Sequence, residues 1–187
     1  MLLVATPRAW AVQAVQRFDE VLVDHAHCEK KAAAHALSML AAFPGVPGLP
    51  RAMARLAREE AGHLGQVLSL LEKRGLSLGR DPGDPYAQAL QQTVRQPARE
   101  RLLDRLLISA LIEARSEERL RMLSEALPDE ELRGFYARLA DAEEGHGELF
   151  LRLARKAVPE QVAPRLDQLL QLEARLIRDL PMRAAIH

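Results

Sequence analysis

The sequence predicts an all-α protein: a four-helix bundle of two antiparallel helix hairpins joined by a long crossover, with an additional C-terminal helix. Three observations carry this. Of 187 residues 48% are hydrophobic but only 4% aromatic, and Ala, Leu, Arg and Glu dominate, which is a helix-forming composition. Apolar residues recur three and four apart over long stretches. Clusters of Pro and Gly then cut the chain into segments of helical length.

Thr6-Pro7 supplies an N-cap and a first-turn proline to a helix running to about Phe43, where Pro44, Gly45, Pro47 and Gly48 end it. Pro50 starts a second helix, which Gly75 stops. Residues 76–85 (LSLGRDPGDP) are too rich in Pro and Gly for regular structure, and 86–95 suit a short connecting helix. A third helix begins near Pro97 and ends before Pro128; a fourth opens at Pro128-Asp129-Glu130 and ends near Val158. Pro159 opens a fifth, ending before Pro181. Short turns make hairpins of the first and second helices and of the third and fourth, and the longer stretch between is the crossover. The expectation is one domain over 1–187, with a four-helix core at about 7–157 and the C-terminal helix at about 159–180.

Twenty-six basic and 26 acidic residues cancel, so composition supplies no general field for nucleic acid or anionic membrane and leaves only local patches. The basic candidates are Lys30/Lys31, Arg51/Arg55/Arg58, Lys73/Arg74 and Arg115/Arg119/Arg121. One cysteine, Cys28, excludes an internal disulfide; its ordinary role is a small buried side chain, a ligand or redox thiol the alternative. Met1–Trp10 lacks a signal-peptide pattern, and no apolar run approaches the roughly 18 residues of a membrane span. A soluble, cytoplasmic protein is expected.

The chemistry resides in two Glu-x-x-His pairs, Glu60/His63 and Glu143/His146, each preceded by a lone glutamate, Glu29 and Glu113. The lone glutamates stand 31 and 30 residues ahead of their pairs. All six lie on apolar stripes: Glu29 with Phe18, Leu22, Ala36 and Leu40; Glu60/His63 with Met53, Leu56, Val67 and Leu71; Glu113 with Leu106, Ala110 and Leu120; Glu143/His146 with Tyr136, Leu139, Phe150 and Leu153. Glu113 and Glu143 each sit about 14 residues from their turn, about 21 Å at 1.5 Å per residue, so they share one level; Glu29 and Glu60/His63 agree within about a turn.

Burying one unpaired carboxylate costs several kcal/mol, roughly, even after relaxation, and four would repel one another; two divalent cations cancel their charge. A dinuclear metal site is therefore expected, with Glu29, Glu60, His63, Glu113, Glu143 and His146 as ligands and as the catalytic residues through the metal. Carboxylate-rich ligation with one imidazole per ion suits iron or manganese, and spacing does not separate the two. Around it, Glu59, Asp141 and Glu117 are candidates to hydrogen-bond the ligating histidines, against an ordinary role as surface charges. His25 reads as a hydrogen-bonded core histidine with an extra ligand as the alternative, and His27 and His35 show no ligand pattern. Tyr136 reads as core. Gly62, Gly65, Gly145 and Gly147 flank the histidines and either leave space for substrate or oxygen or let helices pack closely.

The segments LVDHAHCEKKAAAHALSML, MARLAREEAGHLGQVLSLLEKRG, LLISALIEARSEERL and LRGFYARLADAEEGHGELFLRLA resemble bacterial tRNA 2-methylthio-N6-isopentenyladenosine hydroxylases, ferritin-like non-haem diiron monooxygenases. The resemblance covers most of residues 6–157, and Asp24–Lys31 and Ile112–Ser116 are its most specific parts. It places the family's metal ligands on the same six residues. It departs from the family at Leu64, Glu117 and Gly147, which border the expected pocket. The resemblance implies two iron ions, dioxygen as co-substrate, hydroxylation of the isopentenyl group of a modified adenosine beside the tRNA anticodon, and electrons from a separate donor protein or reductase. The alternatives are a ferroxidase or peroxide-scavenging diiron protein with the same ligands, and a non-enzymatic helical adaptor.

Overall fold

In the computed structural model, which describes residues 1–187, the chain forms seven α-helices and no strand: α1 (Arg8–Gln16), α2 (Phe18–Ala42), α3 (Leu49–Lys73), α4 (Pro85–Gln91), α5 (Ala98–Ala126), α6 (Glu130–Ala157) and α7 (Pro159–Asp179). Their limits follow the punctuation of the sequence. Gly48, at φ 82°, precedes α3, and Gly75, at φ 67°, follows it; both adopt the left-handed backbone that side chains disfavour. Asp84 accepts from the Ala87 N–H at 3.0 Å and Asp129 from the Leu132 N–H at 2.9 Å, capping α4 and α6.

Two expectations are corrected. The first predicted helix is two helices, broken at Arg17 (φ −117°, ψ 38°). The break falls where the chain leaves one compact unit (Met1–Val15, Gly83–Arg183, His187) for another (Gln16–Pro82, Ala184–Ile186), so each segment follows its own packing partners. Thr6 does not cap α1. Its N–H and hydroxyl both donate to the Glu118 carboxylate, the hydroxyl at 2.6 Å.

In the first of these units α5 and α6 form a hairpin; α7 packs on both, and α4 on α5 and α7. Leu103, Leu106, Leu107, Ala110 and Leu120 of α5 and Tyr136, Leu139, Phe150 and Leu153 of α6 are buried. Behind them lies a buried ion pair. Arg115 donates to Glu173 Oε1 through Nε at 3.0 Å and Nη2 at 2.6 Å, and both residues are fully buried. Tyr86 donates to the same oxygen at 3.2 Å, while Arg115 also reaches Glu118, Thr6 Oγ1 and the Val4 carbonyl. A second buried carboxylate, Asp104, accepts from Arg95 and Arg165. Burial alone would raise the Asp104 pKa, but these guanidinium hydrogen bonds outweigh it and hold the carboxyl below its ordinary value.

The second unit is the α2–α3 hairpin with residues Ala184–Ile186. Val21, Leu22, Ala36, Met39, Met53, Leu56, Val67 and Leu71 form its core. Polar ties within the unit join distant positions of the chain. Arg74 bonds Asp19, the His27 Nε2–H donates to the Leu78 carbonyl at 3.1 Å, and the Ile186 N–H donates to Asp24 at 2.7 Å. No helix is long and apolar enough to cross a membrane.

Candidate metal centre

Each unit holds three of the six predicted ligands. In the α2–α3 unit, α2 contributes Glu29 and α3 contributes Glu60 and His63, with one donor atom of each residue within 4.8 Å of the others. The spacing of three residues sets Glu60 and His63 side by side on one helix face. The His63 Nδ1 lies 3.4 Å from Glu60 Oε2 and 3.6 Å from Glu29 Oε2. Glu29 and Glu60 are buried, and His63 is partly open to solvent.

In the α5–α6 unit, α5 contributes Glu113 and α6 contributes Glu143 and His146, again within 4.8 Å of one another. All three are buried, with His146 Nδ1 3.5 Å from Glu143 Oε2. A Cβ on Gly147 would sit 3.7 Å from both the Ala110 carbonyl oxygen and the Glu113 Cβ, so α6 lies close to α5 at the level of the ligand.

The donor set fits a metal ion. Two carboxylates and one imidazole in a buried cluster carry two negative charges when the imidazole is neutral, and a divalent cation cancels them. Hard oxygens with one nitrogen match the preferences of iron or manganese, whereas structural zinc favours closed sulfur and nitrogen sites. The electrostatics of His63 report the same demand. Its burial would lower its pKa, but hydrogen bonds and charge from Glu29 and Glu60 outweigh that and raise it to about 10. A proton on His63 thus partly neutralises the two carboxylates.

The neighbouring candidates divide. His25, buried on α2, sits with Nε2 2.8 Å from Glu29 Oε1, so its ring N–H donates to the Glu29 carboxylate. It is a hydrogen-bonded core histidine, as expected, and the bond is made to a predicted ligand; the four-residue spacing from Glu29 was its only sequence signal. Glu117 and Asp141 both pair with Arg121, at 2.9 and 3.0 Å, and Glu59 lies 3.6 Å from Arg55. Each of the three thus faces an arginine. Tyr136 is core and packs edge-on against Phe135, and the Cys28 thiol donates to Asp24 at 3.6 Å. Among the glycines, Gly147 serves close helix packing, whereas Gly62, Gly65 and Gly145 have open space where a Cβ would lie.

The basic groups also separate. Lys30 and Lys31 both face Asp81, at 3.3 and 3.7 Å, and Arg74 bonds Asp19. Arg115 and Arg119 are buried, the latter over the Trp10 ring, and Arg121 is held by its two carboxylates. Of the candidate group Arg115/Arg119/Arg121, two members are therefore turned inward, because α5 is buried on most of its faces. Arg51, Arg55 and Arg58 are exposed.

An all-helical chain with two such Glu, Glu, His triads belongs to the ferritin-like class of carboxylate-rich proteins. Over its whole length it superposes on Protein 43, a protein with aldehyde deformylating oxygenase activity from Synechococcus, with a TM-score of 0.94 and 37% identity, covering 94% of that structure. The family model for tRNA-(MS[2]IO[6]A)-hydroxylase (MiaE) matches residues 1–187, and the chain belongs to that family. It is a hydroxylase, an oxidoreductase. It is also 38% identical over 183 residues to the tRNA 2-(methylsulfanyl)-N(6)-isopentenyladenosine(37) hydroxylase of Pseudomonas putida strain KT2440, covering 97% of this chain and 89% of that one.

Proposed function

We propose that this chain hydroxylates the isopentenyl group of 2-methylthio-N6-isopentenyladenosine in tRNA, with residues 1–187 acting as one catalytic domain in the cytoplasm. The observation that carries the proposal is a family match over the whole chain, and two Glu, Glu, His triads that gather in its helices support it. Glu29, Glu60 and His63 would hold one iron ion, and Glu113, Glu143 and His146 a second. When bound, the iron supplies the activation of dioxygen. In the overall reaction one oxygen atom enters a C–H bond of the side chain and the other leaves as water, consuming two electrons and two protons. The sequence carries no flavin or nicotinamide fingerprint, so a separate donor protein supplies the electrons.

The residues of this chain contribute placement and charge. Four buried carboxylates set the ligand charge against two divalent ions, and two histidines add neutral donors that leave the site hard enough for iron. His25 fixes one oxygen of Glu29 and so directs the other. The apolar stripes around the ligands keep water from the reacting carbon.

Similarity to the Synechococcus protein favours a second reading, an oxygenase acting on an aldehyde. One experiment separates them. Nucleosides from tRNA of cells carrying or lacking this chain, supplied with the methylthio-isopentenyl precursor, are resolved by mass. Gain of one oxygen on that nucleoside, dependent on Glu60 and Glu143, supports the tRNA hydroxylase. Unchanged nucleosides, with turnover of an aldehyde by the iron-loaded protein, would replace it.

A further inference from the structure

We infer that the outer face of α3 is the surface along which the phosphate backbone of the tRNA lies. This rests on the proposed tRNA substrate. Arg51, Arg55, Arg58, Gly62, Gly65 and Ser69 succeed one another at intervals of four and three residues, so they form one stripe along the outer side of the helix. The three arginines at its head are exposed, and no acidic residue interrupts the stripe. Arg51 and Arg58 form no ion pair, and Arg55 has only the loose contact with Glu59 at 3.6 Å. Of the other candidate groups, Lys30, Lys31 and Arg74 face Asp81 or Asp19, Arg121 faces Glu117 and Asp141, and Arg115 and Arg119 are buried.

In a chain of zero net charge this is a local concentration of unneutralised guanidinium, and a polyanion is the partner whose charge complements it. The glycines extend the argument. Glycine weakens a helix interior, and nothing within 4 Å would meet a Cβ at Gly62 or Gly65, so packing inside the protein does not require them. A bare helix surface next to the arginines lets a strand approach the backbone closely. The matching stripe on α6 differs: Arg138, Asp141, Gly145, Glu148 and Arg152 mix both signs of charge, so it offers a polyanion no comparable face. The partly exposed edge of His63 lies on the same helix, five residues beyond Arg58, about 7 Å along the axis. Phosphates held by the arginines are thereby kept within a nucleotide's reach of the ligand level of α3.

The test measures binding of tRNA isolated from cells lacking this protein, across a series of KCl concentrations, for the wild-type chain and the triple variant Arg51→Ala/Arg55→Ala/Arg58→Ala. Expected is weaker binding and a slope of log K against log salt shallower by about 2 to 3, at about 0.7 to 0.9 for each phosphate no longer held. Gly65→Glu, which adds a carboxylate to the stripe, should also weaken binding, with metal content and melting temperature held near wild type. Equal affinity and slope in wild type and triple variant would overturn the assignment while leaving the tRNA substrate standing. A wild-type chain that binds no tRNA would overturn both. Normal tRNA binding by the triple variant, with slower electron delivery from its donor protein, would reassign the stripe to that protein.

Discussion

The two hairpins carry the same candidate ligand set, Glu, Glu and His within 4.8 Å, on very different supports. The α5–α6 hairpin is backed by α4 and α7 and by the buried Arg115–Glu173 pair. The α2–α3 hairpin has no further helix within its own unit, and its cross-links include partly exposed pairs such as Arg74–Asp19. It has instead a histidine bonded directly to one ligand, His25 on Glu29. A Glu, Glu, His triad can thus be positioned from behind by a packed scaffold or from beside by a single hydrogen bond. The hairpin with less scaffold should depend more on its ion.

The largest expected effect lies in the scaffold. Arg115→Met leaves Glu173 buried without its cation and should cost about 3–5 kcal/mol in a urea unfolding experiment. The double variant Arg115→Met/Glu173→Leu removes both charges and should recover most of that loss. In the α2–α3 unit, Arg74→Ala breaks a partly exposed pair and should cost about 0–1 kcal/mol. Equal losses for Arg115→Met and Arg74→Ala would break the distinction between the two hairpins.

Next comes the hydrogen bond to the ligand. His25→Ala should weaken binding of one iron equivalent by about 10- to 100-fold, read by titration of the metal-free protein, and leave the other equivalent unchanged. His25→Asn restores a donor and should recover part of the affinity. Loss of both equivalents together would show that His25 supports the fold and not Glu29 alone.

How much of this was legible from sequence depends on what kind of information each residue carries. Pro50, Gly75, Pro128 and Pro159 act through their own backbone, so the helix limits near them could be read locally. The triads were legible because polar residues broke apolar stripes at a repeated spacing. Arg17 has no such mark: the helix ends there because the flanking segments pack in different units, a tertiary fact. Arg115 and Asp104 look like surface charges in a charged helix, and only distant partners, Glu173 and Arg165, make their burial tolerable. Thr6 has the sequence of a cap, but Glu118, 112 residues away, takes its hydroxyl.

A smaller effect separates the metal-free and metal-bound states of the α2–α3 unit. His63 is held protonated up to about 10, above its ordinary 6.5. A raised folded pKa gives stabilisation that is complete below about 6.5 and lost as pH rises through about 10. Metal-free protein should therefore lose melting temperature between pH 7 and 10, and part of that loss should vanish in His63→Gln. With iron bound, the His63 share of the slope should disappear, because the ion has displaced the proton. Binding near pH 8 should release one proton from this triad, measurable with an indicator dye. A slope identical in metal-free wild type and His63→Gln would exclude His63 as its source.

The smallest effect tests the packed side of the comparison. At Gly147 an added Cβ would lie 3.7 Å from the Ala110 carbonyl oxygen and the Glu113 Cβ, an ordinary van der Waals distance. Gly147→Ala should therefore fit, retain both metal equivalents, and gain up to about 1 kcal/mol from helix propensity. Gly147→Leu has no room to extend between α6 and α5 without moving Glu113. It should lose the metal equivalent of the α5–α6 triad and keep that of the α2–α3 triad. Because the backing of α5 by α4 and α7 resists movement, strain introduced at Gly147 should appear at the ligand and not relax into the scaffold. Full metal retention in Gly147→Leu would mean that α5 yields, and that the packed hairpin holds its ligands no more rigidly than the other.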